Sequence, residues 1–229
     1  MMQRRAFALG AATLAVLCGT LQTAPVFAAP SLPYDPKGDP FDFVVNLTNG
    51  VLDKIRGDKS LQAGDLAQVR RLVDEVIMPA LDFPMMTRMT VGPKWRQATA
   101  EQRKALQDGF EDLLMRVYSG ALGTVTDQRC ELRPTRSRAV RDEMVVRTLL
   151  KSDAGRSEPI GIDYRIYRTK SGEWKVVDVN VEGIWMVENY RSQFASVLSQ
   201  DGVDGLIKLF REKGESLAKT IKSPGTASK

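Results

Sequence analysis

The sequence predicts an α+β domain, in which an antiparallel or mixed sheet of four to five strands is covered on one face by several helices. The stretch from Gly172 to Phe210 shows both structural periods side by side. Trp174 to Val181 is dense in β-branched residues and alternates, placing Lys175, Val177, Val179 and Val181 on one face and Trp174, Val176, Asp178 and Asn180 on the other. Past Gly183 the period becomes helical, with Tyr190, Phe194, Val197 and Leu198 on one stripe. Asp201-Gly202 then separates this helix from a second one carrying Leu206, Ile207, Leu209 and Phe210. Upstream, residues 124–182 repeat the strand pattern and residues 41–122 the helical one, with no internal repeat.

In chain order, residues 1–28 read as a cleaved export signal. Arg4 and Arg5 form a charged start, Ala6 to Leu21 an apolar core, and Val26-Phe27-Ala28 a small-x-Ala cleavage site. The apolar core is short for a membrane span. Arg4-Arg5-Ala6-Phe7 partly matches a twin-arginine start, so the export route stays open between that and the general secretory path. Leu17 before Cys18 argues against a lipoprotein site. The domain itself is placed at 29–213, and the polar segment 214–229 reads as a disordered tail. Pro30 to Pro40 is an extended leader. Phe41, Val44, Val45, Thr48, Val51, Leu52 and Ile55 mark one amphipathic helix; Leu66, Val69, Leu72, Val73, Val76 and Ile77 mark a second, ending at Pro79. Thr99-Ala100-Glu101-Gln102 is a capping box opening a long helix with the stripe Leu106, Phe110, Leu113, Leu114, Val117, Tyr118 and Leu122. Strands are expected near 125–133, 139–151, 159–168 and 173–182 as an antiparallel meander. In the third, Ile160, Ile162, Tyr164 and Ile166 alternate with Gly161, Asp163 and Arg165, and Met144, Val146, Thr148 and Leu150 continue the apolar face on its neighbour.

The composition excludes several chemistries. There is no histidine, the commonest general base and transition-metal ligand, so Ser-His-Asp and Cys-His catalysis are ruled out. No nucleophile elbow, P-loop, dinucleotide glycine pattern or paired cysteine ligands occur, and no catalytic residue, metal or cofactor is expected. Asp163, Asp178 and Glu182 fit a solvated strand face better than a carboxylate pair, with Asp178 capping or bracing the segment before Gly183. Once the signal is removed, Cys130 is the sole cysteine, which precludes an internal disulfide and reads as a small buried apolar residue. The net charge of +5 loses Arg4 and Arg5 with the signal, leaving +3, which specifies no partner. Arg129, Arg133, Arg136, Arg138, Arg141 and Arg147 form a basic run that an exported protein would turn toward anionic headgroups or an acidic partner and not nucleic acid. The alternative is a solvated face paired with Asp127, Glu131, Asp142 and Glu143.

Several segments resemble the MlaC family, also called the toluene-tolerance or Ttg2 family, of periplasmic phospholipid-binding proteins. The resemblance is carried by Asp163-Tyr164-Arg165, Trp174-Lys175-Val176-Val177-Asp178-Val179, Val181-Glu182-Gly183, Asn189-Tyr190-Arg191-Ser192-Gln193-Phe194 and Gly202-Val203-Asp204-Gly205-Leu206. A second block agrees: Val91-Gly92, Trp95, Ala98-Thr99, Gln102-Arg103, Phe110, Leu114 and Tyr118. Trp185 departs from it, standing where the family usually has a small Ser. The resemblance implies a periplasmic shuttle that is not an enzyme. It would carry phospholipid between an outer-membrane lipoprotein complex and an inner-membrane ABC transporter with its MCE-type subunit, close to membranes but bound to no nucleic acid. A carrier of another lipid such as a hopanoid, and an adaptor with a filled core and no ligand, are the alternatives.

On this reading an apolar cavity lies between helices and sheet. Its expected lining is Ile160, Ile162, Tyr164, Val177, Val179 and Val181 from the strands, Ile184 beyond them and Val146 on the neighbouring strand. Phe110, Leu114 and Tyr118 contribute from the long helix. Met85, Met86 and Met89, around Pro84, are the candidate cavity lip because methionine adapts to irregular apolar surfaces; ordinary core packing is their alternative. Arg133, Arg136, Arg138 and Arg141 are the candidate partner-docking residues.

Overall fold

Asp39 opens the first element: its carboxylate accepts from the amides of Phe41 and Asp42, Pro40 occupies the first helical turn, and α1 runs Pro40–Gly57. The computed structural model describes residues 31–134, 140–152, 154–155 and 158–220. The expected export signal, Arg136 and Arg138 therefore lie outside the described residues. No helix among the described residues is long and apolar enough to cross a membrane.

Two short helices follow, α2 (Lys59–Gln62) and α3 (Leu66–Leu72), each capped by an aspartate, Asp58 and Asp65. The single helix expected to Pro79 changes pitch instead. After α3 comes a π turn, Val73–Ile77, and then a 3₁₀ turn, Met78–Ala80, with Pro79 inside it. Val69, Leu72, Val73 and Ile77 face the same inner side. Next come α4 (Phe83–Val91), a 3₁₀ stretch over Gly92–Gln97, and α5 (Ala100–Ser119), whose Thr99/Gln102 capping box forms as the sequence predicts.

The sheet is an antiparallel meander in the order β1 (Gln128–Leu132), β2 (Glu143–Ser152), β3 (Ile160–Arg168), β4 (Trp174–Val181), β5 (Ile184–Trp185). Glu182 and Gly183 join β4 to β5 with φ of 51° and 89°, a two-residue turn whose twist suits a hairpin and for which glycine is the natural second residue. Two strands have backbone partners from outside the sheet. Asn49 on α1 closes β1 by donating to the Cys130 carbonyl at 3.0 Å and accepting from its amide at 2.9 Å. At β4, Leu81 bridges Val176, and the Asp82 amide donates to the Val176 carbonyl at 2.9 Å. Strand edges without such partners would template association.

Two further helices, α6 (Met186–Gln200) and α7 (Gly202–Thr220), complete the chain. The latter passes through Gly214, where the sequence places the start of the polar tail, and ends at Thr220. The apolar interior forms two clusters. One packs α1, α3 and the leader residue Tyr34 on the sheet through Phe43, Val44, Val146, Ile166, Trp174 and Val176. The other is helical: Phe110 stacks on Phe83 at 5.7 Å and meets Tyr190 and Phe194 edge-on, and Phe194 meets Phe210, joining α4, α5, α6 and α7.

Candidate lipid-binding cavity

Between these clusters lies an apolar cavity of about 340 Å³. Its walls come from both: Leu47, Ile55, Val69 and Leu72 from the sheet-side cluster, Phe83, Met86, Leu114 and Met186 from the helical one. The floor is Tyr164 of β3 with Val176 and Val179 of β4.

Val176 and Val179 share a face because β4 is bulged. Arg165 pairs with Asp178 while the next residue, Ile166, pairs with Val176, leaving Val177 as the extra residue. Directly paired residues project on the same side, so the face running through Met144, Val146, Ile166 and Tyr164 takes in Val176 before the bulge and Val179 and Val181 after it. Strict alternation puts Val176 and Val179 on opposite faces, and the bulge corrects this.

The structure brings Leu114, Tyr118, Tyr164, Val179 and Met86 together on the cavity wall. The other expected lining residues sit elsewhere. Phe110 is 1% exposed and enclosed by the aromatic cluster, because α5 presents two adjoining faces: Leu106, Phe110 and Leu113 turn to the helical cluster, and Glu111, Leu114, Met115 and Tyr118 to the cavity. Val146 is fully buried in packed core opposite Tyr164. Ile160, Ile162 and Val181 are half-buried farther along the same sheet face, Val177 is the buried bulge residue, and Ile184 is exposed. Of the candidate lip, Met85 is exposed, and Met89 opens onto a different recess. Arg133 pairs with Asp163 at 3.7 Å, and Arg141 is exposed.

Three contributions escape the sequence reading. Helix α1 supplies Leu47, Thr48, Val51, Leu52 and Ile55; its apolar stripe signals burial without saying against what. Methionine does line the cavity, but from four separate elements, as Met78, Met86, Met115 and Met186. Among the described residues Glu111 is the one ionisable carboxyl on the wall, and burial, with Asp74 nearby, pushes its pKa up against the pull of Arg70 at 3.5 Å. Other polar groups are mostly satisfied internally: the Tyr164 hydroxyl bonds Thr48 Oγ1 at 2.9 Å, and Thr48 donates to the Val44 carbonyl. The Tyr118 hydroxyl is buried beside the Tyr190 hydroxyl.

Asp178 lies on the opposite face of β4, 2% exposed. Its Oδ1 accepts from the amides of Val179 at 2.9 Å and Val187 at 3.1 Å, and so caps α6 from the strand, as no side chain at the helix start does. Arg165 stands 3.4 Å from Oδ2 and stacks on Trp185 at 4.4 Å. The sequence expects Asp178 on a solvated strand face or holding the segment before Gly183; it is instead buried and holds α6, beyond Gly183.

A sheet and helices lining a partly open, almost wholly apolar space fit a protein that binds an apolar ligand. The chain belongs to the MlaC family, whose model matches residues 45–212. A solved structure of a phospholipid-binding protein from Ralstonia solanacearum, in complex with a phospholipid, is 40% identical with a TM-score of 0.72, covering 79% of this chain and 99% of that one. The intermembrane phospholipid transport system binding protein MlaC of Haemophilus influenzae is 22% identical over 73% of this chain and 78% of its own length. The toluene tolerance protein ttg2D of Pseudomonas putida is 25% identical over 72% and 75%.

Proposed function

We propose that this protein is a periplasmic phospholipid carrier that takes acyl chains into the seam cavity and shuttles lipid between the outer membrane and an inner-membrane ABC transporter. The carrying observation is the cavity itself, lined from both clusters by apolar side chains, in a chain 40% identical to a protein crystallised with a phospholipid. Exposing a fifteen-methylene chain to water costs about 12 kcal/mol at roughly 0.8 kcal/mol per methylene, so free diffusion of a phospholipid is negligible. Transfer from a bilayer into this cavity exchanges one apolar surrounding for another, which keeps loading and unloading near balance.

At about 340 Å³ the space sits at the small end of the roughly 300–1,000 Å³ usual for ligand pockets. Its four methionines supply adaptable walls that can yield to a larger cargo. Lipid extracted from protein purified from cells and identified by mass spectrometry tests the function. Phospholipid near one molecule per chain is the expected result. A hopanoid would make the protein a carrier of another class, and no lipid at all would make it an adaptor.

A further inference from the structure

A second recess, about 750 Å³ and open to solvent, lies on the other side of β4 from the cavity. Its sheet residues, Arg165 and Asp178, pair with one another on the face opposite Tyr164 and Val179. Helix α4 and the following 3₁₀ stretch contribute Arg88, Trp95 and Arg96, β5 contributes Trp185, and α6 contributes Arg191. Four arginines thus face two carboxylates, Asp178 and Glu188, and Asp178 is already engaged with Arg165. Arg88, Arg96 and Arg191 are exposed, and none has a carboxylate within ion-pair distance among the described residues.

We propose that the groove docks an acidic segment of a partner protein, with its carboxylates taken by Arg88, Arg96 and Arg191 and its apolar side chains laid on Trp95 and Trp185. The guanidinium fork matches a carboxylate in two-point geometry, and a free guanidinium is weakly hydrated, so little is lost in bringing it to a partner. Two indole surfaces beside the charges supply what a small anion does not use: broad, rigid contact area of the kind that anchors protein interfaces. The opposite placement of groove and cavity separates docking from cargo, so the inference stands independently of which lipid the cavity takes.

The test uses tryptophan emission of the full protein. Two of the three tryptophans line the groove, and the third, Trp174, is 2% exposed. Deca-glutamate peptide at about 0.15 M salt, where screening acts over about 8 Å, is expected to give a saturable emission change that weakens as salt rises. Arg88→Glu with Arg96→Glu should lower the affinity at least about tenfold with unchanged melting and unchanged lipid content. Lys54→Glu with Lys59→Glu, which reverses two exposed lysines elsewhere, should leave it unaltered. If the glutamate variant unfolds, the Arg88→Gln, Arg96→Gln pair replaces it with the same expected direction. Equal affinity of wild type and groove variant, or no binding by either, overturns the proposal. So does displacement of the peptide by equimolar inorganic phosphate, which marks a small-anion site, or groove-dependent binding of phosphatidylglycerol vesicles without peptide binding, which marks a membrane surface.

Discussion

Val176 and Val179, three residues apart on β4, stand side by side on the floor of one cavity because Val177 is bulged out of register between them. The sheet thereby offers the helices a continuous apolar floor while leaving Asp178 free to cap α6 on the other face.

Substituting Val179→Asp is therefore expected to abolish lipid retention, since an unpaired carboxylate among acyl chains costs several kcal/mol. Ile162→Asp, on the same sheet face but off the cavity wall, should retain lipid. Phospholipid-to-protein ratios of the two purified variants, both checked for folding by circular dichroism, decide the point; loss in both would extend the site along β3.

Asp178→Ala leaves the Val179 and Val187 amides without their acceptor and Arg165 without its partner. A loss of about 3 kcal/mol is expected in urea unfolding. Asp178→Asn keeps an acceptor and should lose less. Burial raises the Asp178 pKa above its ordinary value, ahead of the opposing amides of Val187 and Val179 and the charge of Arg165. The folded protein thus holds this proton more tightly than the unfolded chain. The resulting stabilisation is complete below the ordinary aspartate range near 3.9 and declines as pH rises through the raised value. Wild type measured against Asp178→Asn should accordingly lose ground as pH rises from about 4, and a difference independent of pH would contradict the assignment.

Gly109 on α5 lies against Phe210 of α7, and a Cβ there would stand 2.5 Å from the Phe210 ring and 2.8 Å from its Cβ. Alanine normally gains roughly 0.5–1 kcal/mol over glycine inside a helix. Overpacking costs typically 1–3 kcal/mol, and the obstructing Cβ is rooted on a packed helix. Gly109→Ala is expected to lower the melting temperature, and an increase would show that α7 gives way easily.

Much of the fold is legible in the sequence because its signals are local. Thr99 and Gln102 specify a helix start, and Ile160 to Ile166 specify a strand with one apolar face. The cavity is less legible, since it depends on phase. A bulge at Val177 shifts which side chains of β4 face inward, and it leaves no periodic trace. On α5 the stripe through Phe110 and Leu114 looks single, but packing splits it between an aromatic core and the cavity. The methionines are placed too narrowly in the sequence: Met86 belongs to the wall, while Met78, Met115 and Met186 beside it come from segments with no shared motif.

Replacing those four methionines with leucine keeps apolarity and roughly keeps volume, so unfolding free energy should change by less than about 1.5 kcal/mol per site. Branched, stiffer side chains should slow lipid exchange between protein and vesicles. Unchanged exchange would reduce the methionines to ordinary packing.

That acyl chains occupy the seam between the two clusters is tested most directly by methyl resonances of methionine-labelled protein loaded with a phospholipid spin-labelled near its acyl terminus. Met78, Met86, Met115 and Met186 line the cavity, while Met85 and Met89 lie outside it. Broadening strongest for the first four, and weaker for Met85 and Met89, is the expected result. Broadening centred on Met85 and Met89, or none at any of the six, would contradict it.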